Sequence, residues 1–222
     1  MDALLGLDAL TLSEKVRARE VSATEVIEAS IARINALNPA INAVCTLAEQ
    51  SAIDAARVLD AKIARGEEVG PLAGIPVGIK DVILTGGIRT TFGSPRFADF
   101  VPEEDAESVA RLKRAGAIVI GKTNTPEFAA GGSTINRVFG ASRNPWNTER
   151  SPGGSTGGGA AGLAARMFTL ALGTDLGGSL RLPAAFCGVV GIRPTPGRVP
   201  AMPVPVADDP WQVDGPITRT AL

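Results

Sequence analysis

The sequence predicts an α/β fold in which a mixed sheet is flanked by helices. Short apolar runs rich in β-branched residues alternate with amphipathic stretches of helical periodicity. Glycine and proline, at 26 and 16 of 222 residues, cluster between these elements, mainly at residues 70–95 and 131–198, which is typical of tight turns. We expect one domain over residues 1–222, made of an N-terminal helical segment 1–69, a core 70–200 and a proline-rich tail 200–222.

The first 66 residues predict helices around one short strand. Ser22 and Glu25 have the capping-box spacing ahead of an amphipathic stretch, and Asn38-Pro39 is expected to end that helix. Residues 41–46 predict a strand, and residues 47–66 predict a long helix that ends at Gly66.

The core predicts further strands and helices in alternation. A buried strand is expected at 77–83, because the segment is apolar and β-branched near its end. The remaining elements are a helix at 105–116, a strand at 117–120, a helical turn at 125–130, a helix at 158–167, a strand at 169–173, a short helix at 179–186 and a strand at 189–192. The segment from Pro200 to Pro216 is expected to be a loop, because it is proline-rich.

Composition excludes several classes of function. The net charge of −1 offers no field to attract nucleic acid or an anionic membrane, and no apolar run approaches the roughly 18 residues of a membrane span. The acidic start at Asp2 does not fit a secretory signal. Cys45 and Cys187 are sparse and histidine is absent, so we expect a cytoplasmic protein without a metal site or other cofactor.

Three short glycine motifs are set aside on physical grounds. GAIVIGKT at 116–123 matches a P-loop, yet a helix precedes it and its variable positions form the strand itself. GGGAAG at 157–162 matches a dinucleotide fingerprint but follows a turn-forming stretch instead of a strand. GGSTG at 153–157 matches the nucleophile elbow, which works with a histidine base that this chain lacks.

Longer stretches, in the same order along the chain, resemble the amidase signature family of amide hydrolases. They are GIPVGIKDV at 74–82, GKTNTPEFAAGGST at 121–134, RNPWN at 143–147, GGSTGGGAAG from Gly153, and LGTDLGGSLRLPAAFCGVVGIRPTPGRV at 172–199. The resemblance covers residues 70–220 and, more loosely, the N-terminal helices. GGSTGGG replaces the commoner GGSSGGS and keeps the serine in place. Family members continue for a comparable length, so the resemblance implies the N-terminal half of such an enzyme, incomplete at its C-terminus.

The resemblance implies a Ser–Ser–Lys arrangement. Ser179 matches the nucleophile that forms an acyl-enzyme, Ser155 the bridging serine after a cis bond at Gly154–Ser155, and Lys80 the general base. A lysine accepts a proton only when neutral, and lowering its pKa from about 10.4 to about 7 requires roughly 4–5 kcal/mol, which burial and a hydrogen bond can supply. The apolar strand around Lys80 suits this, and Asp81 should point to the opposite face.

Further residues acquire expected roles from the same resemblance. Leu176, Gly177 and Gly178 match the oxyanion hole, and Ser133 lies in a stretch that borders the substrate site. Asp175 and Arg181 are expected to form an ion pair that holds the turn, with substrate contact as the alternative. The two serines alone could also be helix N-caps.

Other functions stay open beside an amidase acting on a small amide. A glutamine-hydrolysing amidotransferase A-type subunit is one, although TPEFAAGGSTIN and GIRPTPGRVP look more like general bacterial amidases. A truncated, inactive fragment is a second, and a homo-oligomer or a partner supplying the missing half is the matching expectation for assembly. A nitrilase-like amidase with Cys187 as nucleophile is a third, but an apolar setting raises a thiol pKa.

Overall fold

The computed structural model describes residues 4–203, 209 and 211–221. The helices are α1 Ala9–Arg17, α2 Ala23–Ile41, α3 Glu49–Ala64, α4 Glu107–Arg114, α5 Gly157–Ala164 and α6 Arg181–Cys187. The strands are β1 Val44–Leu47, β2 Pro76–Lys80, β3 Ile118–Thr123, β4 Ile135–Asn136, β5 Gly140–Ala141, β6 Leu170–Asp175, β7 Val190–Gly191 and β8 Val213–Thr218.

Within these residues, six strands form one mixed sheet in the order β1-β3-β2-β6-β8-β7. Strand β2 lies near the centre and runs parallel to both of its neighbours, β3 and β6. The β1–β3, β6–β8 and β7–β8 pairs are antiparallel. The predicted mixed sheet flanked by helices is therefore confirmed, and β2 is placed where both of its edges are covered.

Two apolar clusters cover the two faces of the sheet. Ile118 and Ile120 of β3 belong to the larger cluster, with residues of α1, α2, α3 and α5, whereas Val119 between them belongs to a smaller cluster that includes Val109 of α4. Side chains alternate along a strand, so these clusters lie on opposite faces. Each fully buried aliphatic side chain contributes about 1.5–3 kcal/mol, and the sheet is thereby held between two layers.

Helix α2 begins as the capping box predicts but ends later than expected. Ser22 accepts the Glu25 N–H while the Glu25 carboxylate accepts the Ser22 N–H. The helix then continues through Pro39 to Ile41, so the predicted end at Asn38-Pro39 is wrong. In this last turn the carbonyl of Asn38 still accepts the N–H of residue 42 at 2.7 Å, so one missing proline donor costs little there.

Strand β8 is the largest departure from the sequence prediction. Residues 213–216 were expected in a loop, but they pair with β6, where Asp214 lies opposite Thr174 and Pro216 opposite Leu172. Proline is normally confined to sheet edges, yet here pairing with β6 on one side and β7 on the other fixes the segment in the sheet. Residues 204–208 and 210 of the predicted loop lie outside the described residues.

Two strand boundaries near the site also differ from expectation. Strand β2 ends at Lys80 instead of residue 83, and β3 continues to Thr123 instead of ending at residue 120. Residues 118–123 are therefore a strand that follows a helix, as expected when the P-loop match was set aside. No helix among the described residues is long and apolar enough to cross a membrane.

Candidate active site

Lys80 ends the central strand β2, and its side chain is fully buried. Its Nζ atom donates to the Oγ of Ser155 at 2.7 Å and to the Oγ1 of Thr174 at 2.8 Å. Both partners are neutral hydroxyls, which solvate a neutral amine as well as a charged one. The geometry therefore places no anion in direct contact with this lysine.

Burial sets the proton affinity of Lys80. Loss of water around the amine lowers its pKa to about 7, and the carboxylates of Asp214 and Asp175 oppose that shift from a distance. Asp81 is turned away, as the strand alternation predicts: it accepts the N–H and the hydroxyl of Thr91. A substantial fraction of Lys80 is therefore neutral at neutral pH.

Ser155 lies immediately before α5 and is fully buried. The Gly154–Ser155 peptide bond is cis, as expected. A Cβ on Gly154 would lie 2.7 Å from the Gly131 carbonyl oxygen and 3.0 Å from the Ser133 nitrogen, so the 131–133 segment packs directly against this bond. Ser133 itself is exposed beside the site.

Ser179 lies in the turn between β6 and α6 and is half-buried. Its carbonyl accepts the N–H of Thr156, the residue after Ser155, at 3.2 Å. This hydrogen bond joins the two serine-bearing segments through their backbones. The structure thus brings Lys80, Ser155 and the turn that carries Ser179 into one place, from segments 75 to 94 residues apart along the chain.

Asp175 organises that turn from the end of β6. Its carboxylate accepts the N–H groups of Gly178 at 2.8 Å and Leu180 at 3.1 Å, and it receives a bidentate pair from Arg181 at 3.0 Å. Arg193 lies 3.5 Å away. Burial opposes ionisation, but the Arg181 and backbone hydrogen bonds outweigh it and lower the pKa of Asp175 to about 2. The predicted ion pair is confirmed.

The predicted oxyanion residues surround open space. A Cβ on Gly177 or Gly178 would meet nothing within 4 Å, and Leu176 is exposed. The N–H of Gly178 is already donated to Asp175. In the part of the chain that the structure describes, the N–H groups of Leu176 and Gly177 have no acceptor. Those two donors are therefore the ones available to a bound group.

Neither serine caps a helix, so that alternative is wrong. The N-cap residues of α5 and α6 are Thr156 and Leu180, and neither makes a side-chain capping bond. Cys187 is fully buried, and burial raises the pKa of its thiol to about 12. A thiol of that acidity is protonated at neutral pH, which argues against Cys187 as a nucleophile.

Sequence reasoning missed three polar residues at the site. Thr174 binds Lys80, Thr134 accepts the Gly157 N–H while donating to the Gly153 carbonyl, and Asp214 acts on Lys80 through its charge. Thr174 and Thr134 lie within the quoted motif stretches, so proximity in sequence was the available signal. Asp214 had none, because its segment has the composition of a loop.

Comparison with known proteins gives the class of protein that this fold and site define. The family model described as Amidase matches residues 25–222, and the chain belongs to the amidase family. Among curated relatives, it is 49% identical over 214 residues to the A-type subunit of the glutamyl-tRNA(Gln) amidotransferase of Carboxydothermus hydrogenoformans. That alignment covers 96% of this chain and 44% of the relative.

Solved structures are similar over the same span. A bacterial aryl acylamidase of the amidase signature family matches with a TM-score of 0.91 and 37% identity, covering 96% of this chain and 45% of that one. A 6-aminohexanoate cyclic dimer hydrolase complexed with substrate matches with a TM-score of 0.89 and 37% identity, covering 97% and 44%. The chain therefore spans less than half the length of the relatives that it matches.

Proposed function

We propose that this chain carries the acyl-transfer machinery of an amidase that hydrolyses a small carboxylic amide. Ser179 attacks the amide carbonyl, Ser155 passes the proton from Ser179 to Lys80, and the nitrogen leaving group receives it back. The ester left on Ser179 is then hydrolysed by water. The observation that carries this proposal is the buried 2.7 Å contact between Lys80 and Ser155, with a lysine pKa of about 7.

The oxyanion that forms during attack needs donors at the turn after β6. We assign this role to the backbone N–H groups of Leu176 and Gly177, which have no acceptor within the described residues and face open space. Gly178 contributes through its positive φ of 112°, which shapes the turn, since its N–H is held by Asp175. Ser133, exposed beside Gly154, borders the space for substrate.

A glutamine-hydrolysing amidotransferase subunit is the second candidate function. Curated relatives at 46–50% identity carry that name, whereas the structural matches include an acylamidase and a cyclic dimer hydrolase. Ammonia release from L-glutamine, compared with release from an aryl or alkyl amide, separates the two. In either case we propose that a further polypeptide segment or a partner completes the site, in the reducing cytoplasm that suits two unpaired cysteines.

Labelling with phenylmethanesulfonyl fluoride, followed by peptide mass analysis, tests the assignment. We expect one adduct on the peptide that contains Ser179, none in Ser179→Ala, and labelling slowed by about 10²–10⁴-fold in Lys80→Met. Lys122→Met is the matched control, because Lys122 is also fully buried but bonds to Thr85 and Thr90 instead of a serine. An adduct that survives Ser179→Ala, or folded protein that takes none, contradicts the proposal.

A further inference from the structure

The strand pair β6–β8 brings a second buried acid to the lysine site. In the register of this antiparallel pair, Asp214 lies opposite Thr174, and directly opposed residues share one face of the sheet. The Oγ1 of Thr174 lies 2.8 Å from the Nζ of Lys80. Asp214 is 4% exposed, so its charge is poorly screened by water.

Two carboxylates act on Lys80, and they differ in how far they are neutralised. Asp175 is paired with Arg181 at 3.0 Å and lies 3.5 Å from Arg193, so two cations offset its field. Asp214 accepts only the hydroxyl of Ser108, at 2.7 Å, within the described residues. The charged neighbour that lowers its pKa is Lys80, while burial raises that pKa. Asp214 is therefore the less compensated charge.

Other charged groups nearby engage elsewhere. Asp81, which follows Lys80, is bound by Thr91, and buried Lys122 of β3 is bound by Thr85, Thr90 and the Ile83 carbonyl. On α4, which supplies Ser108, Glu107 pairs with Arg111 and Arg114 in solvent. The uncompensated partner of the Lys80 ammonium is thus on β8.

We propose that Asp214, acting across the β6–β8 pair beside Thr174, is a positioning residue that governs whether the Lys80 amine carries a proton. When ionised, the carboxylate holds the proton on Lys80; when it is neutral, the amine is released as a base. The two groups then titrate as a coupled pair. The catalytic meaning of this pairing rests on the proposed function, but the pairing itself does not.

Nuclear magnetic resonance of protein labelled with [13Cε]lysine measures the titration of Lys80 directly. Lys80→Met and Lys122→Met identify the two buried lysine signals. In Asp214→Asn we expect the Lys80 midpoint to fall by about 1 pH unit or more, because the anion that favours the ammonium is gone. Ser108→Ala should give a smaller fall, since loss of the hydroxyl disfavours the ionised carboxyl, and Asp214→Glu should restore the wild-type midpoint.

Glu107→Gln is the matched control, because it removes one negative charge beside Ser108 but in solvent. An unchanged or raised midpoint in Asp214→Asn, or an equal fall in Glu107→Gln, overturns the proposal. If Asp214→Asn does not fold, Ser108→Ala carries the test, and an unchanged midpoint there overturns it. Sulfonyl fluoride labelling of the same samples reports separately on the proposed function, since the midpoint can move whether or not Ser179 reacts.

Discussion

The Nζ atom of Lys80 lies 2.7 Å from the Oγ atom of Ser155 in a site from which solvent is excluded. The two residues are 75 positions apart, and β2 and the N-terminal end of α5 bring them together. Burial of an ammonium is costly unless it loses its proton or gains an anion. This one contact therefore joins the stability of the fold to the protonation state that the proposed chemistry needs.

Lys80 should make stability depend on pH. The unfolded amine, with the ordinary lysine pKa of 10.5, binds a proton at pH 8, whereas the folded amine, with a pKa of about 7, does not. The unfolded state thus binds more protons between these values, and stability rises with pH by at most about 1.4 kcal/mol per unit. Urea unfolding at pH 7, 8 and 9 should show wild type gaining on Lys80→Met. The exposed Lys62→Met is the control, and an equal slope there contradicts the prediction.

Asp175 and Arg181 should contribute unequally to the turn that carries Ser179. Asp175→Asn leaves two backbone N–H groups and a guanidinium poorly satisfied, and we expect a loss of about 3–5 kcal/mol of unfolding free energy and of Ser179 labelling. Arg181→Met should cost about 1 kcal/mol or less, because that side chain is 55% exposed. Denaturant melts at neutral pH measure both; equal losses would show that the carboxylate does not organise the turn.

Two glycine-to-alanine substitutions should separate packing from chemistry. In Gly158→Ala the new Cβ would lie 2.4 Å from the Asn124 nitrogen and 2.5 Å from the Ala43 carbonyl oxygen, so we expect about 1–3 kcal/mol of destabilisation. Gly177→Ala meets no atom within 4 Å and should keep its stability. Its methyl group would enter the space for the acyl group, so labelling of Ser179 should slow by about tenfold to a hundredfold. Rapid labelling in Gly177→Ala would remove that residue from the oxyanion site.

Cys187 should be dispensable for labelling and unreactive while the chain is folded. Its thiol has a pKa of about 12, so iodoacetamide at pH 8 should modify it only after unfolding. Cys187→Ala should label at Ser179 at a rate within about twofold of wild type, with a stability cost of about 1 kcal/mol for the lost contacts. Inactivation of folded protein through Cys187 would favour the nitrilase-like alternative instead.

Strand β8 shows where prediction from local sequence failed. Proline and glycine at 215–216 are typical of a loop, and only pairing with β6 and β7 makes the segment a strand. The end of α2 failed for a related reason, because Pro39 is tolerated where few donors remain to be lost. Elements with strong periodicity or caps, such as the start of α2, were predicted correctly because their signals are local.

The sequence by itself determined the mixed α/β architecture, the glycine-rich turns and the two serines and one lysine whose chemistry the family resemblance suggested. The tertiary structure alone decided that Lys80 meets Ser155 and Thr174, that Asp175 pins the turn before Ser179, and that Asp214 stands behind the lysine. The physical reason is that side-chain type is local, whereas proton affinity depends on burial and on charges contributed by strands far apart in the chain.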